Sequence, residues 1–127
     1  MKNNLIKDKS YSFAIRIVTV ARWLRSRKEF DLSSQVLRAG TGIGSNVEEA
    51  WAGISRRDFI SEMGIASKEA REAHFWLRLL RDARVVPSRK IEPLLSESLE
   101  LVRILTAILK TSQSKIRFLL KSRTIMN

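Results

Sequence analysis

The segment that decides the fold is RDFISEMGIASKEAREAHFWLRLL, residues 57–80. Its apolar residues recur at alternating spacings of four and three positions, which is the period of one face of an α-helix. The repeat is long enough for the long helices of an antiparallel bundle. The residues of this stripe are Phe59, Met63, Ala66, Ala70, Ala73, Leu77 and Leu80. We therefore predict a helix over 56–84, with Ser55 as its N-cap residue and Asp58 three positions later.

Three more segments have the same spacing, and they predict helices at about 11–28, 34–54 and 89–112. Ser10 is a candidate N-cap residue for the first of them. Pro93 is tolerated only near the first turn of the fourth, which allows the regular part of that helix to begin one turn later. The basic tail, 113–127, also contains apolar residues, and it either extends the fourth helix or docks elsewhere.

Short turns join these segments, and no segment between them alternates like a β-strand. We therefore predict an all-α, antiparallel up-down-up-down four-helix bundle that forms a single domain over 1–127. An apolar content of 44% and a charged content of 29% suit one folded domain of this length. The sequence has no cysteine, no secretory signal pattern and no apolar run that could span a membrane. We expect a cytoplasmic protein without a membrane partner.

The formal net charge is +11, and the excess lies at the two ends of the chain. Residues 1–30 contain eight basic and two acidic residues, and residues 101–127 contain six basic residues and no acidic one. The bundle topology places helix 1 beside helix 4, so we predict one basic surface that attracts polyanions, with Lys2, Lys7 and Lys9 near the lysines of helix 4. The candidates for contact with RNA or DNA phosphates are Arg16, Arg22, Arg25, Arg27, Lys28, Lys110, Lys115, Arg117, Lys121 and Arg123.

No residue pattern supports catalysis, a cofactor or a metal ion. The glycines of Gly40-Thr41-Gly42-Ile43-Gly44 lack the spacing of phosphate-binding loops, and we interpret them as a site of close helix approach or helix distortion. His74 is the only histidine, and it does not follow a glutamate at the spacing of a di-iron bundle. The chain also lacks the Gly-x-Ser-x-Gly elbow of many hydrolases. We therefore expect a non-enzymatic protein.

Two further groups of residues bear on packing and assembly. We interpret Arg38, Asn46, Glu49, Lys68 and Glu69 as a structural polar network between helices 2 and 3, or between subunits. Helix 4 carries Leu99, Ile104 and Ala107 outside its main apolar stripe, and one bundle does not cover them all. Trp23, Trp51 and Trp76 suit the edge of the core or a subunit contact. These features favour a homo-oligomer, and the alternative is a monomer with a broad core.

Several motifs resemble those of one protein family. The pattern Arg-x-Gly-Thr-x-Ile-Gly-x-Asn-x-x-Glu-Ala falls on residues 38–50, Asp-Phe on 58–59, Ile-Ala-x-Lys-Glu-Ala on 65–70, and aromatic-Trp-Leu-x-Leu-Leu on 75–80. The likeness extends over residues 10–113, with mild departures at Gly42, where a serine is expected, and at Val47. In these motifs the chain resembles the bacterial four-helix bundle proteins encoded within 23S rRNA intervening sequences.

The resemblance implies a small non-enzymatic bundle that assembles as a homopentamer. It also implies a relationship in fold to the accessory variability proteins of diversity-generating retroelements, which are basic and associate with nucleic acid and a reverse transcriptase. The leading hypothesis is therefore a homo-oligomeric, nucleic-acid-associated protein. The alternative is a protein-interaction scaffold with no direct nucleic-acid role, and an RNA-processing enzyme is a third interpretation.

Overall fold

The computed structural model describes the backbone of residues 4–126 and the side chains of residues 5–123. Within that part of the chain it contains four α-helices and no strand: α1 (Asn4–Ser26), α2 (Phe30–Ala52), α3 (Arg56–Asp82) and α4 (Ser88–Met126). Each helix packs against the next, and α4 also packs against α1. The diagonal pairs, α1 with α3 and α2 with α4, do not approach each other over the described residues. The predicted antiparallel four-helix bundle is confirmed.

The first two helices begin earlier than the sequence predicted. Ser10 does not cap α1; it lies buried inside the helix, where its hydroxyl donates to the Lys7 carbonyl at 3.2 Å. The helix extends back to Asn4 because Ile6 is buried and belongs to the core. Ser33, which we expected before the start of helix 2, is also buried within its helix, and its hydroxyl donates to the Ala21 carbonyl of α1 at 2.7 Å. Both hydroxyls thus bond to backbone carbonyls, so neither marks a helix start.

The bundle has two matching turns at one end, because α1 and α3 both finish there. Lys28 and Arg84 adopt left-handed backbone conformations, with φ values of 64° and 58°. The amide of Glu29 then donates to the Leu24 carbonyl at 2.9 Å, and the amide of Val85 donates to the Leu80 carbonyl at 3.0 Å. These are the hydrogen bonds of a Schellman C-cap, which usually places glycine at the left-handed position. Here the position is basic in both turns.

The core is formed by the predicted apolar stripes, and its closest helix approach lies between α1 and α2. Ile17, Ile43, Met63 and Leu105 are completely buried. A Cβ atom added to Gly40 would lie 2.6 Å from Cγ1 of Ile17, so only glycine permits α2 to approach α1 this closely. The sequence therefore predicted the close helix approach correctly. The glycine-rich segment lies wholly inside α2 and forms no loop.

Helix α4 is longer than predicted. It runs without interruption for 39 residues, with Pro93 in its second turn, and the tail continues the helix. Leu109 is the last of its residues that packs against the core. We call residues 110–123 the α4 extension. Its side chains are exposed, except for the half-buried Ser112, Ile116 and Ser122. The extension is about 20 Å long at the helical rise of ~1.5 Å per residue.

Candidate nucleic-acid interface

The predicted basic residues other than Arg16 lie on two separate surfaces, so the prediction of one basic surface is wrong. The Nζ atom of Lys90 lies 5.1 Å from the centroid of the Trp23 ring, which places the last turns of α1 beside the first turn of α4. Lys110 and Lys121 lie about 30 and 47 Å further along α4, because each residue adds ~1.5 Å. Helices α1 and α4 are antiparallel neighbours, as predicted. Their basic C-terminal parts therefore point to opposite ends of the bundle.

The first surface, which we call the basic end, surrounds the two matching turns. It contains four of the predicted residues, Arg22, Arg25, Arg27 and Lys28, and it adds residues from the end of α3 and the start of α4. The additional residues are Arg81, Arg84 and Lys90. Two of its cations lie over aromatic rings: Arg27 is 4.7 Å from the centroid of Trp23, and Arg25 is 5.3 Å from that of Phe30. Such contacts hold the charged groups in place without neutralising them.

Acidic groups neutralise only part of the basic end. Arg81 donates to Asp82 at 2.9 Å and to Glu92 at 3.5 Å. The hydrogen bond from Arg81 lowers the pKa of Asp82, so this carboxylate is charged at neutral pH. Among the described side chains, no ion pair involves Arg27 or Arg84. These two guanidinium groups are therefore available to an anion from solution.

The second surface is the α4 extension. Its cations are Lys110, Lys115, Arg117, Lys121 and Arg123, and it contains no acidic residue. Within the described part of the chain none of the five forms an ion pair. Three of them line an open hollow of about 740 Å³ together with Arg56 of α3 and the apolar side chain of Phe118. Cationic and apolar groups are thus mixed on this surface, and Phe118 is 70% exposed.

Between these surfaces, ion pairs with α4 occupy two of the basic residues of α1. Arg16, a predicted phosphate contact, donates to Glu97 through Nε at 2.9 Å. Lys9 donates to Glu100 at 2.8 Å. Both pairs join α1 to α4, so these side chains help to hold the helices together. Lys7 lies 3.9 Å from Glu48 of α2, and Lys2 lies outside the described residues.

The basic residues that α3 and the start of α4 bring to the basic end were not predicted from the sequence. Residues 31–100 as a whole are almost neutral, with ten basic and eleven acidic residues, and this balance hid a local excess. Residues 78–92 alone contain five basic and two acidic residues. The predicted topology already placed the end of helix 3 at the same end of the bundle as the end of helix 1, so a count of charges over shorter segments would have revealed these residues.

The predicted polar network is centred on the ion pair of Arg38 with Glu72, a glutamate that was not among its predicted members. Arg38 of α2 forms its closest ion pair with Glu72 of α3, and its Nη1 atom lies 3.6 Å from Glu69. The hydrogen bond from Arg38 is the main cause of the lowered pKa of Glu72, and Trp76 adds a hydrogen bond at 3.3 Å. Of the other predicted members, Asn46 donates to the Gly42 carbonyl of its own helix at 2.7 Å, and Glu49 is exposed. Lys68 is also exposed, but its charge contributes to the lowered pKa of Glu72. Glu72 lies one helical turn after Glu69, which is the spacing that could have revealed it.

The single histidine has a structural contact. Nδ1 of His74 lies 2.9 Å from the hydroxyl of Ser98 on α4, and that hydroxyl donates to the Leu95 carbonyl at 2.9 Å. Because the serine proton is used in this way, His74 donates to Ser98. Burial lowers the pKa of His74, and Arg78 and Arg81 lower it further, so the ring is neutral at pH 7. Among the described residues, no group of histidine and acidic side chains is suitable for a metal ion.

Apolar surface accompanies the basic surfaces. All three tryptophans are half-buried and pack against the edge of the core. Ile104 and Ala107, which we expected outside the main stripe, line a hollow of about 450 Å³ with Leu5, Trp51 and Phe59. Trp51 is notable because its indole N–H is buried and has no hydrogen-bond partner among the described residues. In that same part of the chain, no helix is both long enough and apolar enough to cross a membrane.

Comparison with known proteins places this bundle in a family. The family described as 23S rRNA-intervening sequence protein matches residues 2–107. The chain belongs to this family. A similar solved structure is the crystal structure of a protein with unknown function from the S23 ribosomal protein family of Bacteroides thetaiotaomicron VPI-5482. The two sequences are 43% identical, the alignment covers 87% of this chain and 99% of the other, and the TM-score is 0.82. No curated protein matches the sequence significantly.

The motifs that carry the resemblance in sequence lie within the residues that match the family. The motifs at residues 38–50 and 65–80 lie in α2 and α3, whose contact contains the Arg38–Glu72 pair. The basic end also lies within the matched region. The matched residues stop before Lys110, so the α4 extension lies outside it. The two basic surfaces therefore differ in their relation to the family.

Proposed function

We propose that this protein is a non-enzymatic, homo-oligomeric protein of the cytoplasm that associates with nucleic acid through phosphate contacts. The observation that carries the proposal is the α4 extension, a helical surface with five cations, no acid and no described ion pair. Cations in this arrangement release counterions when they bind a phosphate backbone, and they do so without reading sequence. The basic end adds a second positively charged surface.

The homo-oligomer in this proposal is supported by the exposed apolar side chains. Tyr11 and Ile15 of α1 are 65% and 55% exposed, and Leu119 of α4 is 54% exposed. The hollow beside Trp51 offers an apolar surface of the kind that a second copy covers. The family resemblance implies a pentamer, which at 14.6 kDa per chain has a mass of about 73 kDa. Light scattering at micromolar concentration tests this number, and a monomer would contradict it.

A salt titration tests nucleic-acid association. Fluorescence anisotropy measures the affinity for a single-stranded RNA between about 50 and 200 mM salt. If the five cations of the α4 extension each contact a phosphate, affinity falls about a hundredfold over this range, because each contact on a single strand contributes ~0.7 to the logarithmic slope. Replacement of Lys115, Arg117 and Lys121 by glutamine should reduce that slope by about 2.

The matched control removes three cations from elsewhere on the bundle. Arg57, Lys68 and Arg103 are exposed, and among the described side chains they form no ion pair. Their replacement by glutamine lowers the net charge by the same amount and should change the slope by much less. Equal effects of the two triple variants would show that only net charge matters. Absence of RNA binding at low salt would refute the proposal.

The second candidate function is a protein-interaction scaffold. It is favoured by one observation, the exposure of Phe118 and Leu119 beside the cations of the α4 extension, because an amphipathic basic helix also suits an acidic protein groove. A partner that remains bound after nuclease treatment and in high salt would support this function. Loss of the partner on nuclease treatment would support nucleic-acid association instead, whereas loss in high salt alone is expected for both functions because salt screens both kinds of charged contact.

A further inference from the structure

Two hollows at the basic end share Trp23 as a lining residue. One, between α1 and α4, is an apolar hollow of about 390 Å³ whose walls include Val20, Val86, Pro93 and Leu94. The other is a cationic hollow of about 380 Å³, lined by Arg27, Arg81, Arg84 and Ser88. Trp23 and Val86 contribute to both walls. Each volume is within the range of small-molecule sites. Together the two hollows offer one subsite for an apolar group and one for an anion.

The cationic hollow has an excess of positive charge. Asp82 and Glu92 are the acidic groups bonded to its arginines, and both bond to Arg81. Arg27 and Arg84 have no such partner among the described residues, and Lys90 holds its ammonium group over Trp23 at the edge of the apolar hollow. Arginine is suited to phosphate because its donors can bind two oxygens at once. A phosphate monoester suits this site better than a diester because it carries up to two charges near neutral pH.

The apolar hollow provides the other half of the recognition. Every base has a π-face and can stack on tryptophan irrespective of sequence. Here a base takes the place of the ammonium group of Lys90, an exposed side chain that lies over the Trp23 ring in the apolar hollow. Within one nucleotide, the base and the phosphate are joined through a single sugar, and here the two hollows share a single indole wall. A nucleotide therefore fits with its base against Trp23 and its phosphate in the cationic hollow. Internal nucleotides of a strand lack the doubly charged phosphate, whereas a phosphorylated terminal nucleotide has it.

We propose that the two hollows around Trp23 bind the phosphorylated terminal nucleotide of a single-stranded nucleic acid, with the terminal phosphate between Arg27 and Arg84. This inference rests on the proposed nucleic-acid role and adds specificity for a strand end. The α4 extension supplies affinity that does not depend on the end of the strand.

The test compares short RNA strands of one sequence that carry a 5′-monophosphate, a 3′-monophosphate or only hydroxyl groups. A monophosphorylated strand should bind the full-length protein about tenfold more tightly than the hydroxyl strand at moderate salt, because only it offers the dianion to Arg27 and Arg84. The two phosphorylated strands decide which end is recognised. Adenosine 5′-monophosphate should compete for the site, whereas adenosine should compete at least tenfold less well.

The decisive variant is Arg84→Gly, because Arg84 has a left-handed backbone that glycine adopts without strain. It should abolish the preference for the phosphorylated strand while the protein stays folded. Lys28→Gly is the matched control: it removes one cation from the same kind of position at the same end, but Lys28 lines neither hollow. It should lower the affinity for all strands alike and keep the preference.

The outcomes distinguish this inference from the proposed function. Equal binding of phosphorylated and hydroxyl strands, with normal salt dependence, would overturn the terminal-nucleotide site and leave general nucleic-acid association standing. The triple glutamine variant at Lys115, Arg117 and Lys121 should weaken the binding of all strands without changing the preference for the phosphorylated strand. If no strand binds at low salt, both the general association and the strand-end recognition are refuted.

Discussion

Replacement of Gly40 by alanine tests the contact that sets the distance between α1 and α2. The added methyl carbon would lie 2.6 Å from Cγ1 and 2.7 Å from Cγ2 of Ile17. Real Cβ atoms do not approach other carbon atoms this closely. Ile17 is completely buried, so its side chain cannot turn away into solvent. The helices must therefore separate, or Ile17 must leave its preferred rotamer.

The expected magnitude follows from two opposing effects. Alanine in a helix interior is favoured over glycine by about 1 kcal/mol. Overpacking of a filled core costs about 1–3 kcal/mol. Gly64 of α3 provides the matched control, because a Cβ atom added there meets no atom within 4 Å. Gly64→Ala should therefore stabilise the protein by about 1 kcal/mol, and Gly40→Ala should be less stable than Gly64→Ala by about 1–3 kcal/mol.

Urea unfolding followed by far-UV circular dichroism measures both variants. The protein concentration must be the same throughout, because the stability of an oligomer depends on it. A double-mutant cycle with Ile17→Ala adds a direct test: the isoleucine substitution should cost less in the Gly40→Ala background, since it also removes the clash. Equal stabilisation by Gly40→Ala and Gly64→Ala would refute the close approach of α1 and α2.

Three further predictions concern charge and backbone. The pKa of His74 is lower in the folded protein than in the unfolded chain, so the unfolded chain binds a proton more readily. Stability should therefore fall as pH drops below about 6.5, and His74→Gln should reduce this fall in thermal unfolding curves. Glu72→Gln should cost about 0.5–1 kcal/mol in urea unfolding, because it removes a half-exposed pair with Arg38, and an unchanged midpoint would contradict that role. Lys28→Gly should stabilise the protein by about 0.5–1 kcal/mol by relieving the left-handed lysine, whereas Lys68→Gly, inside α3, should destabilise it by a similar amount.

The helices and their order could be predicted from the sequence because burial imposes a period on the apolar residues. The stripe from Phe59 to Leu80 is fixed by packing on both neighbouring helices, and its members are buried or half-buried as expected. The helix ends were less predictable. Ser10 and Ser33 are residue types that favour N-caps, but the Ser10 hydroxyl bonds to a carbonyl of its own helix. The Ser33 hydroxyl bonds to the Ala21 carbonyl, which only the packing of α2 against α1 brings within reach.

The course of the tail could not be decided from apolar spacing. Residues 113–123 contribute nothing to the core, so no buried stripe marks them as helical. They contain no glycine or proline, and helix formation continues from the bundle without a new nucleation step. The basic end was missed for a different reason. Its residues come from three helices, and only the packed bundle brings Arg27 together with Arg84.

The ion pairs between α1 and α4 limit how a single strand can use both basic surfaces. A phosphate backbone that followed the groove from Trp23 toward Lys110 would meet Glu97 and Glu100, which are held there by Arg16 and Lys9. The basic end and the α4 extension should therefore act as separate sites on one chain. In a closed cyclic oligomer each site is repeated around the axis, and a strand bound at one copy meets the next at high effective concentration. RNA affinity should then depend on assembly: a variant that remains folded but monomeric should keep the preference for a phosphorylated end and lose most of its affinity for long strands.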